Sequence, residues 1–187
     1  TVMAVNSAGY KRAVLKKYDE VFSYSNKYLP KEIPIIHSFG GVVRRIFEGG
    51  EETIFTKEAK NNTAECAVEL MQKLNDSNEG FCIGIAKEDL RFCVIGLPKR
   101  MVAITISEHG SLSWFLQNMA SDFGASILIS SSAANDIENF FKRYSIRTIG
   151  YLYITAESRL EAVYEILNGE SQERQRLKLD TKAEFEE

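Results

Sequence analysis

Ser130, Ser131 and Ser132 stand immediately ahead of a stretch with helical spacing. Hydroxyls at such a place cap a helix, and the free N–H groups of a helix N-terminus can hold an anion. A cap by Ser132, on a helix running through Ile137, Phe140 and Phe141, is the plainer role. Cys66, Cys82 and Cys93 are odd in number and sit among apolar neighbours. They read as buried free thiols in a reducing compartment, not as a disulfide framework. His37 and His109 are too few and too far apart for a zinc site. Glu157 and Glu161 read as a solvated edge. The chain has no glycine-rich phosphate loop ending in Lys-Ser or Lys-Thr, and no Gly-x-Ser-x-Gly elbow. Residue types and spacing alone therefore name no reaction.

The 187 residues suit one domain with a real core, and 44% hydrophobic with 26% charged residues is the balance of a soluble globular protein. A net charge of −3 argues against non-specific binding to nucleic acid, which needs a basic face. No apolar run approaches the ~20 residues of a membrane span, and no secretory leader is visible. The start at Thr1 and the charged end lead us to expect a piece cut from a longer protein. Any membrane attachment would then belong to the parts outside it.

Val2 to Val5 is a short apolar run that reads as a buried strand, broken by Gly9. Helical spacing runs from Lys11 to Leu29, with Pro30 and Pro34 bracketing its exit. Val42 to Phe47 and Thr53 to Phe55 read as a hairpin around Glu48-Gly49-Gly50-Glu51. Asn62 with Glu65 resembles a capping box ahead of the stripe Ala64, Ala67, Val68, Met71 and Leu74. Phe81 to Ala86, Arg91 to Ile95, Val102 to Ile106 and Ile127 to Ile129 are strand-like. Leu112 to Phe123 reads as a helix stopped by Gly124. Ile146 to Thr155 and Ala162 to Leu167 form a last hairpin, and the charged tail from Gly169 reads as an exposed helix or a linker. Strands and helices alternate, with hairpins mixed in. That predicts an α+β sandwich around a mixed sheet.

The order of several segments resembles the class III adenylate and guanylate cyclase catalytic domain. Asn6-Ser7-Ala8-Gly9-Tyr10-Lys11 stands where the family has a strand and then Asp-Ile-x-Gly-Phe-Thr. Gly40-Gly41-Val42-Val43-Arg44-Arg45-Ile46-Phe47-Glu48-Gly49 stands where it has Gly-Gly-x-Val-x-Lys, a strand and Gly-Asp at a turn. Thr63 to Gln72 resembles the family helix with Ala-x-x-Ala-x-x-Met-Gln, and Ile83-Gly84-Ile85 its Ile-Gly-Ile strand. Arg100 to Ala125 fits without insertion and runs into Ile127-Leu128-Ile129-Ser130. Ile149-Gly150 and Ala162 to Leu167 resemble the closing strands. The resemblance covers residues 1–167 and implies the ferredoxin-like cyclase fold, a mixed central β-sheet flanked by helices. Residues 168–187 remain as a charged helix or linker.

That family holds two divalent metals with two aspartates, and hard cations need anionic oxygen ligands. The corresponding positions here are Asn6, a neutral amide, and Gly49, which has no side chain. Glu48 and Glu51 share the turn, where a solvated hairpin tip is a plainer reading than a metal ligand. The family's ribose and transition-state Asn and Arg fall at Ser111 and Phe115; the serine suits a helix cap, and a phenyl ring cannot replace a guanidinium. The phosphate-gripping Lys falls at Thr155 and the base-reading acid at Ile104. Arg45 keeps a basic group where a base-reading Lys would stand, beside Arg44.

The resemblance thus implies a catalytically degenerate cyclase homology domain with no cofactor. It would serve as a signalling or dimerisation module, as a homodimer or as a heterodimer with another cyclase-type domain. Because the family often follows sensor or membrane segments, the expected setting is the cytoplasmic part of a larger chain. Three readings stand beside it. One is a residually active cyclase that uses magnesium or manganese through Glu48 and Glu51. Another is a small-ligand sensor resting on Arg45, and the last is an unrelated α+β domain.

Overall fold

The computed structural model describes residues 1–7, 18–47, 49–74, 80–107, 111–155 and 158–186. Strand β1 (Val2–Ser7) is buried at every residue. Its odd positions Met3 and Val5 join the larger core, while Ala4 and Asn6 face the other way. Burial on both faces requires cover on both, and helices supply it. Helices α1 (Tyr18–Ser38) and α2 (Thr63–Leu74) cover one face, through Tyr28, Ile36, Leu70 and Met71. Helix α3 (Leu112–Ala120) covers the other with Leu116 and Ala120, against Ala86, Leu128 and Val163.

Seven strands form the sheet in the order β2-β3-β1-β4-β7-β9-β8. These are β2 (Gly41–Phe47), β3 (Gly50–Phe55), β4 (Phe81–Ala86), β7 (Ile127–Ser130), β8 (Ile146–Ile154) and β9 (Arg159–Ile166), with β1 near the centre. β4 and β7 are parallel, and the other neighbours are antiparallel. The expected mixed α+β sandwich is what forms. Among the described residues, strands β5 (Leu90–Leu97) and β6 (Arg100–Ser107) pair only with each other and form a separate hairpin.

Several expectations need correction. The first helix does not leave at Pro30 but runs on to Ser38 with both prolines inside it. They are four residues apart and both exposed, so one solvent-facing stripe carries the lost hydrogen bonds and water can satisfy the freed carbonyls. The Asn62–Glu65 capping box is not made. Residues Lys60–Asn62 form a 3₁₀ turn that runs straight into α2; Asn62 donates to the Phe39 carbonyl, and Glu65 pairs with Arg143 at 2.9 Å. Ser130, not Ser132, caps α4 (Ser131–Asp136), which ends before the separate turn α5 (Phe140–Arg143). Gly9 and the first residues of the predicted helix lie outside the described residues, as do Glu48, His109 and Glu157.

The charged tail is helix α6 (Gln172–Glu186), and it is not wholly free. Lys178 reaches back to the buried carboxylates of Glu165 and Glu170 and donates to the Gly124 carbonyl at 2.8 Å. Cys66 and Cys82 are buried, Cys93 is half-buried, and all three are free thiols. Burial, with Glu69 and Glu51 nearby, pushes the Cys66 thiol up to about 12, so it stays neutral.

Gly84 lets α3 sit directly on β4. A Cβ there would lie 2.0 Å from the Ser113 carbonyl oxygen and 2.4 Å from the Gln117 nitrogen, both backbone atoms. Gly84→Ala is therefore expected to destabilise the fold by about 1–3 kcal/mol, the cost of overpacking a rigid contact. Gly124→Ala meets open space at φ +59 and carries only the left-handed backbone cost of roughly 1–2 kcal/mol. Urea unfolding of both variants checks the order, with Gly84→Ala also loosening α3.

Candidate functional site

Register brings the first two candidate positions together. Asn6 on β1 pairs with Gly50 on β3, beside Gly49, whose φ of 82° makes the turn. The approach is close, since a Cβ on Gly50 would lie 1.8 Å from the Val5 carbonyl oxygen. Asn6 is buried, and its Oδ1 accepts the Ser7 N–H at 2.6 Å. Glu51 does not join them. It pairs with Val5 in register and so lies on the opposite face of the sheet from Asn6. Among the described residues no group of three or more His, Cys, Asp or Glu side chains could hold a metal ion. The described donors at this end, an engaged amide and a glycine, do not fit a pair of hard divalent cations.

Glu51 is fully buried, which corrects the solvated-tip reading. It meets Glu32 of α1, which is also buried. Burial, then the Glu32 charge and a hydrogen bond given to Glu32, hold the Glu51 carboxyl well above its ordinary range. Burial also raises Glu32, opposed by the bond it receives. The two buried carboxyls face each other between α1 and β3, and the Glu32 charge makes the ionised form of Glu51 less favourable in that dry setting.

Glu52, the next residue, faces α3. Its carboxylate lies 3.2 Å from Arg44 Nη2 and 3.3 Å from Arg45 Nη2, and its Oε1 accepts from Ser111 Oγ at 3.1 Å. Ser111 also caps α3, accepting from the Trp114 N–H. Arg45 is half exposed and stacks over Phe47 with 5.4 Å to the ring centroid. Glu88 accepts the Ser113 N–H at 2.8 Å. Burial raises the Glu88 carboxyl, with the Ser113 bonds working against it. Arg45, Glu52 and Ser111 thus form one connected polar chain ending at the first turn of α3.

Ser111 and Phe115 line one cleft of about 620 Å³, together with Trp114, Tyr153 and the 87–89 segment. Thr155 is exposed and follows Ile154, a lining residue. Ile104 lies on the β5–β6 hairpin opposite Cys93, away from the cleft lining. The anion site ahead of α4 is already filled from within. Glu161 accepts from Ser132 N at 2.6 Å and Ser131 Oγ at 3.0 Å, and it is buried, not part of a solvated edge. Glu52 and Glu88 escaped the sequence reading. Starting β3 at Gly50 in place of Thr53 would have set Glu51 and Glu52 on opposite faces.

No family model matches the chain. A curated relative, a terminal-differentiation-specific adenylate cyclase of Dictyostelium discoideum, is 21% identical over 173 residues; the match spans 86% of this chain but 8% of that protein. A bacterial light-regulated adenylyl cyclase superimposes with a TM-score of 0.77 at 12% identity, covering 91% of this chain and 51% of that one. The non-canonical dimeric guanylyl cyclase domain of the RhoGC fusion protein from the aquatic fungus Blastocladiella emersonii gives 0.65 at 13% identity, covering 89% and 94%. The fold is that of the class III nucleotide cyclase catalytic domain. At these identities it is the fold that is shared.

The Glu32–Glu51 pair makes stability depend on pH. Both carboxyls keep protons to higher pH when folded, so above the ordinary value of 4.5 the native state binds more protons than the unfolded chain. Stability from this pair is complete below that value and falls as pH rises, by about 1.4 kcal/mol per pH unit for each proton involved. Glu51→Gln keeps the shape and a donor to Glu32 without the charge. Thermal melts should show Glu51→Gln more stable than the parent at pH 8, with the difference shrinking by pH 5. An equal difference at both pH values would exclude the raised titration of the pair.

Proposed function

We propose that this is a catalytically degenerate class III cyclase homology domain that works by pairing with a second cyclase-type domain, its own copy or another. The carrying observation is the meeting of Asn6 with the Gly49–Gly50 turn. The two places where metal carboxylates would stand come together, and neither offers an anionic oxygen. Phe115 and Thr155 supply no cation for a transition state or a phosphate. Losing one transition-state group typically costs about 100- to 1000-fold in rate, and such losses within one unit are not additive. Low residual turnover through Glu48 with magnesium or manganese is the competing reading.

The pairing half of the proposal rests on the β5–β6 hairpin. Two strands alone are marginal in water, yet this pair exposes apolar side chains on both faces. Phe92 is 73% exposed and Leu97 75% exposed, with Val94, Ile95, Met101 and Val102 beside them. Contiguous apolar surface of this kind marks an interaction site. The fungal domain with the same fold is dimeric, which favours a cyclase-type partner. No described helix is long and apolar enough to cross a membrane. We place the domain on the cytoplasmic side, within residues 1–167 of a longer signalling chain.

Purified protein incubated with ATP or GTP and manganese or magnesium should make no cAMP or cGMP above background. Product that disappears in Glu48→Gln would overturn the degenerate reading. Separately, light scattering should find a dimer, and Phe92→Glu with Leu97→Glu should shift it to monomer at an unchanged melting temperature. With hot-spot losses of about 2 kcal/mol or more per residue, the dimer constant should weaken at least tenfold. A parent protein that stays monomeric at high concentration, alone and with candidate cyclase domains, would remove the pairing claim.

A further inference from the structure

The cleft beside α3 carries an unbalanced charge. Its two cations are already engaged. Lys87 pairs with Asp136 at 3.5 Å, and Arg159 pairs with Glu161. Its acids are not. Glu88 spends one oxygen on the Ser113 N–H, while Oε2 is buried and accepts no hydrogen bond. Asp89 is exposed and makes no ion pair or side-chain hydrogen bond among the described residues. Part of the lining is aromatic. Trp114 is 45% exposed and Phe115 47%, and Tyr153 of β8 lines the same cleft. Exposed ring faces attract cations through their quadrupoles and stack on flat groups. A volume near 620 Å³ falls within the range of small-molecule sites.

We infer that this cleft binds a small planar aromatic molecule bearing a positive, hydrogen-bond-donating group such as an amidine or a ring amine, with Glu88 and Asp89 as its counter-charge. The ring lies against Trp114 and Phe115, and the cationic head reaches the 88–89 segment. An unpaired buried acceptor costs free energy until a donor meets it, and a cationic N–H supplies one. Nucleoside triphosphates are disfavoured by the same groups, because their charge would face Glu88 and Asp89 with no free cation among the described lining residues. The inference does not depend on whether the domain pairs or turns over nucleotide.

Trp114 is the single tryptophan of the chain, so its fluorescence reports on the cleft directly. The probes are 2-naphthamidine and its anionic isostere 2-naphthoate, titrated into the purified protein at moderate salt. Naphthamidine should quench Trp114 saturably and bind at least about tenfold more tightly than naphthoate. Asp89→Asn, at an exposed position, and Glu88→Gln, which keeps an acceptor for Ser113, should each weaken naphthamidine severalfold and leave naphthoate unaffected. Phe115→Leu should weaken both probes. Circular dichroism confirms that each variant is folded, and Asp89→Asn carries the test if Glu88→Gln is not. Absence of saturable naphthamidine binding would overturn the inference. So would equal affinity for naphthoate, tighter binding of ATP, or indifference to the loss of Asp89.

Discussion

Helix α3 lies in a trough on the sheet whose floor is Gly84. Gly84 pairs with Ala4 on β1 and with Leu128 on β7, so two of the three residues across the trough are the smallest available. The helix backbone comes down onto the missing side chain, with Leu116 and Ala120 packed beyond it. Everything chemical on this side of the molecule depends on that approach. It sets the height of the first turn of α3, which puts Ser111 against Glu52, the Ser113 N–H against Glu88, and Trp114 and Phe115 at the cleft. A helix lifted by the thickness of one methyl group would break two charge-assisted hydrogen bonds and open the cleft.

Glu51 and Glu52 show how one strand manages two adjacent buried charges. They point to opposite faces, and each would cost several kcal/mol if left ionised and alone. Glu52 is answered by two guanidinium groups and a hydroxyl. Glu51 has no cation beside it among the described residues and instead meets the Glu32 carboxyl, which favours its protonated form. The two solutions differ in kind. The first is an ion-pair cluster, whereas the carboxyl pair changes charge as pH rises. The strand therefore joins an ion-pair contact on the α3 side to a pH-dependent one on the α1 side.

Local features were legible in the chain. The turn at Gly49, the stop at Gly124, the Ser111 cap and the closing hairpin follow from glycine conformation, hydroxyl capping and apolar alternation, all decided within a few residues. The ordered set of segments carried the fold, though none of them alone did. What stayed hidden was the partnering of distant polar groups. Glu51 beside two glycines reads as a wet turn because its partner Glu32 lies on another element. Glu161 reads as an edge because the N-terminus of α4 that receives it lies about thirty residues earlier. Pro30 and Pro34 read as an exit because only the packed helix shows that both face solvent. The candidate site divided the same way. Ser111 and Phe115 were found from segment order, whereas Glu52, Glu88 and Asp89, which set the charge around them, have no sequence signature.

Lys178 spends all three of its donors at once, on Glu165, Glu170 and the Gly124 carbonyl. Glu165 is also held by Arg147 of β8, at 2.7 Å. A pull or twist delivered along α6 therefore reaches Glu165 through the Lys178 ammonium group, and from there passes to both strands of the closing hairpin. Such a joint behaves as a shear pin. Below its breaking load, helix and sheet turn together. Above it, the three Lys178 contacts fail together, and that tie between helix and sheet is lost.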